Sequence, residues 1–406
     1  MDVEVFAGLL SAEGQGLLRE VRGVAPAQEL AVATRLRRRH DAALVAAALA
    51  QNRLRTRAEA KFGPEEAHSL YFTADGLEQA TRAGVAEHRA RRFAALGVRS
   101  AADLCCGIGA DALALARAGI RVLAVDRDPL TCAVARANAD ALGVADRMEV
   151  RCADVTEVPT GDRDALFADP ARRTGRGRVF DPEAYSPPLS WAVEAARAAP
   201  VAALKVAPGI PHEAVPEEAE PEWVSYGGDV KEAVLWFTGR GAGEAGAAAG
   251  GVRATLLPSG ETLTGDGRAR AEAGPVGRYL YEPDGAVVRA HLVAELARRL
   301  SGRLIDPTIA YVTTDAPRST PYATGYELTD VLPFNVKKLR ALLRERGVGS
   351  VTVKKRGSAV EPEELRRKLK LEARAAGGSC TVFLTRVAGA PSMLLGHPLP
   401  RRTPAG

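Results

Sequence analysis

The chain has 406 residues, too many for one ordinary domain and suited to two or three, and 46% apolar content is enough for real cores. Its five cysteines form no C-x-x-C pair and leave one odd, which argues against a disulfide framework or structural zinc and for a reducing cytosol. No run of 18 apolar residues suggests a membrane span, and the acids of MDVEVFAGLL stand where a secretory signal carries Lys or Arg. The net charge of +5 is uneven. Residues 301–406 hold 18 Lys and Arg against 9 Asp and Glu, leaving the first 300 at −4, so a polyanionic partner is expected at the end of the chain.

Residues 1–95 read as helical. AQELAVATRLRRRHDAALVAAALAQNRLRTRAEAKF carries apolar residues at three- and four-residue spacing, and TADGLEQATRAGVAEHRARRFAAL reads as one amphipathic helix capped by Thr73 or Asp75. From about 100, the strand candidates AADLCC, RVLAVD, MEVRC, ALFADP and AALKVA alternate with helices at 109–118, 128–143 and 187–198, which implies a parallel sheet with right-handed crossovers. EWVSYGG and EAVLWFT follow an acidic stretch at 212–222. The Gly/Ala-rich run 239–251 marks a boundary. After it come a hairpin (RATLLPSGETLTG), a helix over 287–300, and a further alternation that includes the basic strand SVTVKKRG, the helix EPEELRRKLKLEARA and the strand SCTVFLTRV. The expected organisation is a helical region (1–95), an α/β domain (96–240), a linker with hairpin and helix (241–300) and a small basic α/β domain (301–406).

The segment D-L-C-C-G-I-G-A-D (103–111) joins a strand to a helix. Gly107 and Gly109 let the backbone turn sharply and approach a ligand, but this spacing also fits a dinucleotide fingerprint. Three acids shift the balance, because Asp103, Asp126 and Asp154 close successive strands. A carboxylate at Asp103 suits a cation and would repel a pyrophosphate. With these acids the segment resembles the S-adenosylmethionine site of class I methyltransferases. That resemblance implies Asp103 toward the amino-acid part of the cofactor, Asp126 toward the ribose hydroxyls and Asp154 toward the adenine amino group. Cys105 and Arg127 complete the candidate cofactor contacts, although Cys105 and Cys106 also read as small apolar filling under the loop. Asp128, before Pro129, reads as a helix cap.

The fourth strand ends in A-L-F-A-D-P-A-R-R (165–173). It resembles the motif of nucleic-acid methyltransferases in which an acid or amide followed by Pro closes the strand beside the methyl group. Asp169 and Pro170 keep that pattern, and Arg172 stands where N-methylating relatives have an aromatic residue; a guanidinium can stack on a base or hold a phosphate. The resemblance implies direct in-line transfer with Asp169 at the acceptor. Uracil-C5 methyltransferases share Asp-Pro-Pro-Arg but need a cysteine after the next strand, and K-V-A-P-G-I-P has none. Arg176 and Arg178 lie in a Gly/Pro-rich segment that could cover substrate. Lys205 and the Asp229-Val230-Lys231-Glu232 tetrad are weaker candidates, with ion-pairing an equal reading. Gln79, Thr81 and His88 could close over the cofactor.

Three basic clusters crowd the last third: Lys337, Lys338 and Arg340 on a helix; Lys354, Lys355 and Arg356 ending a strand; and Arg366, Arg367, Lys368 and Lys370 on the next helix. Their density favours a phosphate-backbone surface over base stacking. The segments L-Y-F-T-A-D-G-L-E-Q-A-T-R, D-L-C-C-G-I-G-A-D, F-A-D-P-A-R-R, G-G-D-V-K-E-A-V-L-W and N-V-K-K-L-R…V-K-K-R-G together resemble a bacterial family joining a class I methyltransferase domain to a C-terminal THUMP-like domain. The resemblance implies a Rossmann-like sheet, S-adenosylmethionine as cofactor, no metal, and tRNA or rRNA as a cytosolic substrate methylated on a base nitrogen. Three other readings stay open: a protein or small-molecule methyltransferase, a non-catalytic RNA-binding or assembly factor, and an NAD-dependent oxidoreductase.

Overall fold

The computed structural model describes residues 1–171, 181–239, 251–371 and 378–400, with the backbone alone of 173–174 and 177–178. Two compact units emerge, one comprising residues 1–220 and 232–249 and the other 221–231 and 250–406.

The first unit opens with helices α1 (Val3–Leu10), α2 (Ala12–Glu20), α3 (Glu29–Leu36), α4 (Ala42–Phe62), α5 (Pro64–Ser69), α6 (Ala74–Gln79) and α7 (Ala83–Ala95). Its sheet contains β1 (Ser100–Leu104), β2 (Arg121–Asp126), β3 (Met148–Cys152), β4 (Ala165–Ala168), β7 (Val201–Val206) and β9 (Asp229–Thr238). The ribbon β5 (Arg173–Thr174) and β6 (Gly177–Arg178) stands apart from it. The order is β9-β7-β4-β1-β2-β3, parallel except for β9. Helices α8 (Ala110–Arg117), α9 (Pro129–Ala141) and α10 (Leu189–Ala198) make the crossovers, each within two residues of the range expected from sequence. The strand order reverses between β1 and β4, so a crevice opens at their carboxyl ends, where such sheets bind ligands.

The N-terminal helices share one apolar core with this sheet: Phe6 and Leu9 of α1, Phe62 of α4 and Phe93 of α7 belong to the same cluster as Val122, Phe167 and Trp236. Hydrogen bonds fasten the joint. The Asn138 amide accepts from Tyr71 N (2.7 Å) and donates to Tyr71 O and Ile108 O, while Gln51 exchanges bonds with the Phe72 backbone. Residues 70–73 are thereby pinned beside the glycine loop.

The single helix expected from Thr73 onward is two. Thr73 caps α6 as expected, through Gly76 N, but α6 stops at Gln79. Lys61 explains the stop: its ammonium donates to the carbonyls of Leu77, Glu78 and Ala80 and so satisfies the helix end. The helix expected over 287–300 likewise divides into α11 (Gly285–Arg289) and α12 (Val293–Leu300). His291 adopts φ +58°, and Leu292 N donates back to Val287 O, a helix-terminating turn.

In the second unit, β8 (Glu220–Tyr226, from Pro221) pairs in parallel with β10 (Val252–Leu257), which forms the expected hairpin with β11 (Glu261–Gly265). A second sheet follows in the order β13 (Arg303–Asp306), β14 (Ile309–Thr314), β12 (Tyr279–Pro283), β15 (Ala323–Pro333), β18 (Ala390–Pro398), β17 (Gly378–Val387), β16 (Val348–Lys355). Strand alternation divides its side chains. Val382, Leu384, Met393 and Leu395 face Leu339 and Leu343 of α13 (Val336–Glu345) and Leu365 and Leu369 of α14 (Pro362–Leu369); Phe383 and Leu394 join Leu280, Tyr311 and Tyr326 on the other side.

Candidate functional site

β1 runs into a loop whose backbone needs left-handed conformations: Cys105 at φ +63°, Gly107 at +57° and Gly109 at +90°. A Cβ on Gly109 would stand 3.1 Å from the Met148 methyl, so this glycine serves close packing of α8 as well as the turn. Asp126, at the end of β2, accepts from Gly107 N and Asp128 N, both at 3.0 Å, and thereby fixes the loop. Asp128 accepts from Thr131 N and caps α9, the role its position before Pro129 suggests.

Around this loop lies a cavity of about 690 Å³. It brings together Asp103, Cys105, Gly107, Asp126, Arg127, Asp154, Asp169 and Pro170, and with them Gln79, Thr81 and Lys205, which the sequence offered as secondary candidates. Gly109 and His88 do not line it. Asp154 is exposed, and its carboxylate accepts from Thr156 N and Oγ1, which caps a short turn and lowers its pKa. Arg127 is exposed at the rim, Arg172 and Arg176 lie outside the described residues, and Arg178 is described only by its backbone.

Asp103 is the unusual member. It is fully buried, and neither carboxylate oxygen has a hydrogen-bond partner among the described residues. Burial, then the nearby carboxylates of Asp111 and Asp169, push its pKa well above the ordinary value. Register explains the company it keeps. Asp103 pairs with Phe167, and Leu204 pairs with Ala168, so Asp169 and Lys205 lie side by side one residue further on, on the same sheet face as Asp103. Lys205 Nζ donates to Asp169 Oδ2 at 2.6 Å and to Thr81 Oγ1 at 3.0 Å. Burial works against the Lys205 charge, but the carboxylates of Asp169, Glu232 and Asp111 outweigh it and raise its pKa.

Behind these residues Arg89 of α7 is buried between Asp111 (2.5 Å) and Glu232, with its guanidinium 4.4 Å from the Phe167 ring centroid. Burial opposes its charge too, and Asp111, Glu232 and Asp169 restore it. Sequence reasoning missed Arg89 and Asp111. The available signal was an arginine on the apolar stripe Val85–Ala86–Arg89–Ala90–Phe93 of α7, where every neighbour is buried.

Four acids (Asp103, Asp111, Asp169, Glu232) thus meet two cations (Arg89, Lys205), and of the three of these acids that line the cavity Asp103 is the one without a hydrogen-bond partner among the described residues. That excess fits a cationic ligand. S-adenosylmethionine carries an ammonium and a sulfonium, and Asp103 offers the unpaired carboxylate such a charge requires. Cys105 lines the same cavity, but burial and the carboxylates of Asp126, Asp169 and Asp103 push its thiol far up, which disfavours a thiolate nucleophile.

In the second unit the ten sequence-derived basic residues divide. The side chains of Lys337, Lys338, Arg367 and Lys370 are exposed and make no hydrogen bond or ion pair with the described residues. The other six are engaged: Arg340 with the Lys368 carbonyl, Lys354 with Glu282, Lys355 with Glu361 (2.6 Å), Arg356 with the Ala310 carbonyl, Arg366 with Glu363 and Lys368 with Glu364 (2.6 Å). Among the described residues no helix is long and apolar enough to cross a membrane, and no group of three or more His, Cys, Asp or Glu could hold a metal ion.

Comparison with known proteins agrees with this geometry. Residues 101–168 match the model of a methyltransferase domain, residues 323–398 that of a THUMP domain-like family, and residues 2–58 a domain of unknown function. An uncharacterized S-adenosylmethionine-dependent methyltransferase of Mycobacterium tuberculosis is 38% identical over 327 residues, covering 78% of this chain and 87% of that protein. A 23S rRNA (uracil-C5)-methyltransferase of Acidithiobacillus ferrooxidans is 38% identical over 76 residues, 17% of each chain. A crystal structure of a proposed methyltransferase from Porphyromonas gingivalis shares the fold, with a TM-score of 0.72 at 23% identity over 88% of this chain and 91% of the other.

Proposed function

This chain belongs to a family of S-adenosylmethionine-dependent methyltransferases with a C-terminal THUMP-like domain, and on that premise we propose that it methylates a base nitrogen of tRNA or rRNA by direct in-line transfer. The observation that carries the reading is the shared cavity: Asp169-Pro170 at the end of β4 opens into the same space as the unpaired Asp103 and the glycine loop. The THUMP-like domain and the exposed Lys337, Lys338, Arg367 and Lys370 support an RNA substrate. The relative acting on 23S rRNA supports it too, although its C5 chemistry finds no cysteine after β7.

When bound, the cofactor supplies a methyl group on a sulfonium, already a strong electrophile. The protein's task is then alignment and proton removal. Asp103 would pair with the ammonium, Asp126 with the ribose hydroxyls, and Asp154 with the adenine amino group, while Cys105, Gly107 and Arg127 border the same space and Gly109 shapes the turn beneath it. Asp169 accepts a hydrogen bond from the target N–H and takes its proton. Its backbone N is fixed by the Leu104 carbonyl (3.1 Å) and its side chain by Lys205, so its position is set before substrate arrives. Pro170 closes the strand, and Arg172 would meet the base or a phosphate.

The test is nucleoside mass spectrometry of tRNA and rRNA from a strain lacking the gene, after incubation with the protein and labelled S-adenosylmethionine. Wild type restores a methylated nucleoside, and Asp169→Ala lowers kcat by about 10²–10⁴-fold with cofactor affinity nearly unchanged. Undiminished methylation by Asp169→Ala would remove Asp169 from the mechanism; no methyl in either RNA would remove the RNA substrate.

A further inference from the structure

Resting on the reading of Asp169 as the residue at the acceptor nitrogen, we propose that Lys205 is a specificity-determining residue, selecting a ring nitrogen beside a carbonyl, the lactam edge of guanine or uracil, as the methyl acceptor. Lys205 is 6% exposed yet lines the cavity with Asp169 and Pro170. An ammonium has three protons. Two go to Asp169 Oδ2 and Thr81 Oγ1, and the third has no acceptor among the described residues. A carboxylate that needed only neutralising would be served by an ammonium shielded from the cavity. Here the cation borders the reaction space and keeps a donor in reserve.

The charged groups around Lys205 come from every neighbouring element: Asp169 follows β4, Asp103 lies in β1, Asp111 in α8 and Glu232 in β9, with Arg89 of α7 as a second cation among the described residues. They hold Lys205 in its charged form. The consequence differs between acceptors. An exocyclic amine becomes positive as its lone pair attacks the methyl carbon, and an adjacent ammonium opposes that. A lactam N–H behaves in the opposite way. As its proton passes to the Asp169 carboxylate, the electron pair left on nitrogen spreads onto the neighbouring carbonyl oxygen, where the third N–H of Lys205 stabilises it. The nitrogen pair then forms the carbon–nitrogen bond while the carbon–sulfur bond breaks with its electrons retained by sulfur. The sulfonium charge and the lactam charge cancel, and Asp169, partly exposed, passes its proton to water.

Thr81 belongs to this device. It sits in the break between α6 and α7 that Lys61 enforces, and its hydroxyl fixes the direction of the ammonium.

Two measurements on the full-length protein test the proposal. First, the nucleoside methylated by wild type in RNA from the deletion strain is identified against standards. N1-methylguanosine or N3-methyluridine is expected; N6-methyladenosine, N4-methylcytidine or N2-methylguanosine overturns Lys205 selectivity and leaves the RNA reading standing, whereas absence of methyl from all RNA overturns both. Second, Lys205→Met is compared with Lys205→Arg. Loss of one oxyanion donor predicts a kcat lower by on the order of 100-fold in Lys205→Met at neutral pH, with S-adenosylhomocysteine affinity within about threefold of wild type and partial rescue in Lys205→Arg. The Lys205→Met deficit should shrink as pH rises and the lactam ionises unaided. A deficit constant with pH, or none, overturns the proposal.

Discussion

The cavity at the ends of β1 and β4 and the helical face of the THUMP-like domain treat charge in opposite ways. Around Asp103 the charges are largely buried, with four acids to two cations, so Asp103 is left with unused oxygens. On α13 and α14 the charges are exposed, and more than half of the sequence-derived cations are already occupied by local carboxylates or carbonyls. Buried charges without partners are costly and point to a ligand. Exposed ion pairs contribute little to stability and partly cancel the field a polyanion would meet. Charge density in the sequence therefore overstates the second surface and understates the first.

The largest effect should come from breaking the buried network. Arg89→Met leaves the buried Asp111 and Glu232 without their common cation, and should cost about 3–5 kcal/mol of stability, read as a lower urea midpoint. A loss below about 1 kcal/mol would mean that water enters behind Phe167 and that the contrast between the two regions is false.

Asp103→Asn sharpens the contrast from the other side. A charge-assisted hydrogen bond to the cofactor ammonium is lost, so S-adenosylmethionine affinity should fall roughly 10- to 100-fold in calorimetry. The cofactor-free protein should nevertheless become more stable. Because the folded-state pKa of Asp103 is raised above the unfolded value, the folded chain binds the extra proton, and stability falls as pH rises from the unfolded value through the folded one. Removing that liability should raise the neutral-pH Tm by about 2–4 °C per kcal/mol regained. Cofactor affinity should rise with pH over the same window in wild type and lose that dependence in Asp103→Asn. A lower Tm in the variant would show that Asp103 has a protein partner after all.

These two residues also show how much the sequence disclosed. The succession of strands along the chain, the glycine loop and the acids at three strand ends were legible because each depends on local pattern. Asp103, Asp126, Asp154 and Asp169 do line one cavity. Arg89 with Glu232, and Lys205 with Thr81, were not legible as pairs. Their partners are 143 and 124 residues apart, and only the packing of α7 and the segment before it against the sheet brings them together. The break after Gln79 was hidden for the same reason, since the lysine that ends α6 belongs to α4. The basic clusters failed differently: a row of cations can be counted in a sequence, but whether each already has an acceptor is a property of the fold.

The surface can be tested against its own occupied half. Replacing Lys337, Lys338, Arg367 and Lys370 together by Ala should weaken RNA binding and flatten the dependence of log affinity on log salt by about 0.7–0.9 for each phosphate left without its cation. The matched replacement of Lys355 and Arg366, whose charges already meet Glu361 and Glu363, should change that slope by less than a single phosphate would. Equal effects of the two sets would mean that local pairing does not withhold a cation from RNA.

The smallest effect belongs to Asp154, where the two regions meet in kind, because this cofactor-site acid is exposed like the surface lysines. Thr156 already supplies two donors to one of its oxygens, and hydrogen bonds at that oxygen hold its carboxyl below the usual range. An adenine amino group would meet a carboxylate competing with water, so Asp154→Ala should weaken S-adenosylhomocysteine by less than about tenfold, against the larger loss for Asp103→Asn. The comparison is one of burial, not of charge, since both variants delete a carboxylate from the same cavity. If Asp154→Ala proves the more damaging, exposure is the wrong guide to which acids hold the cofactor, and the bound site must close over the adenine end.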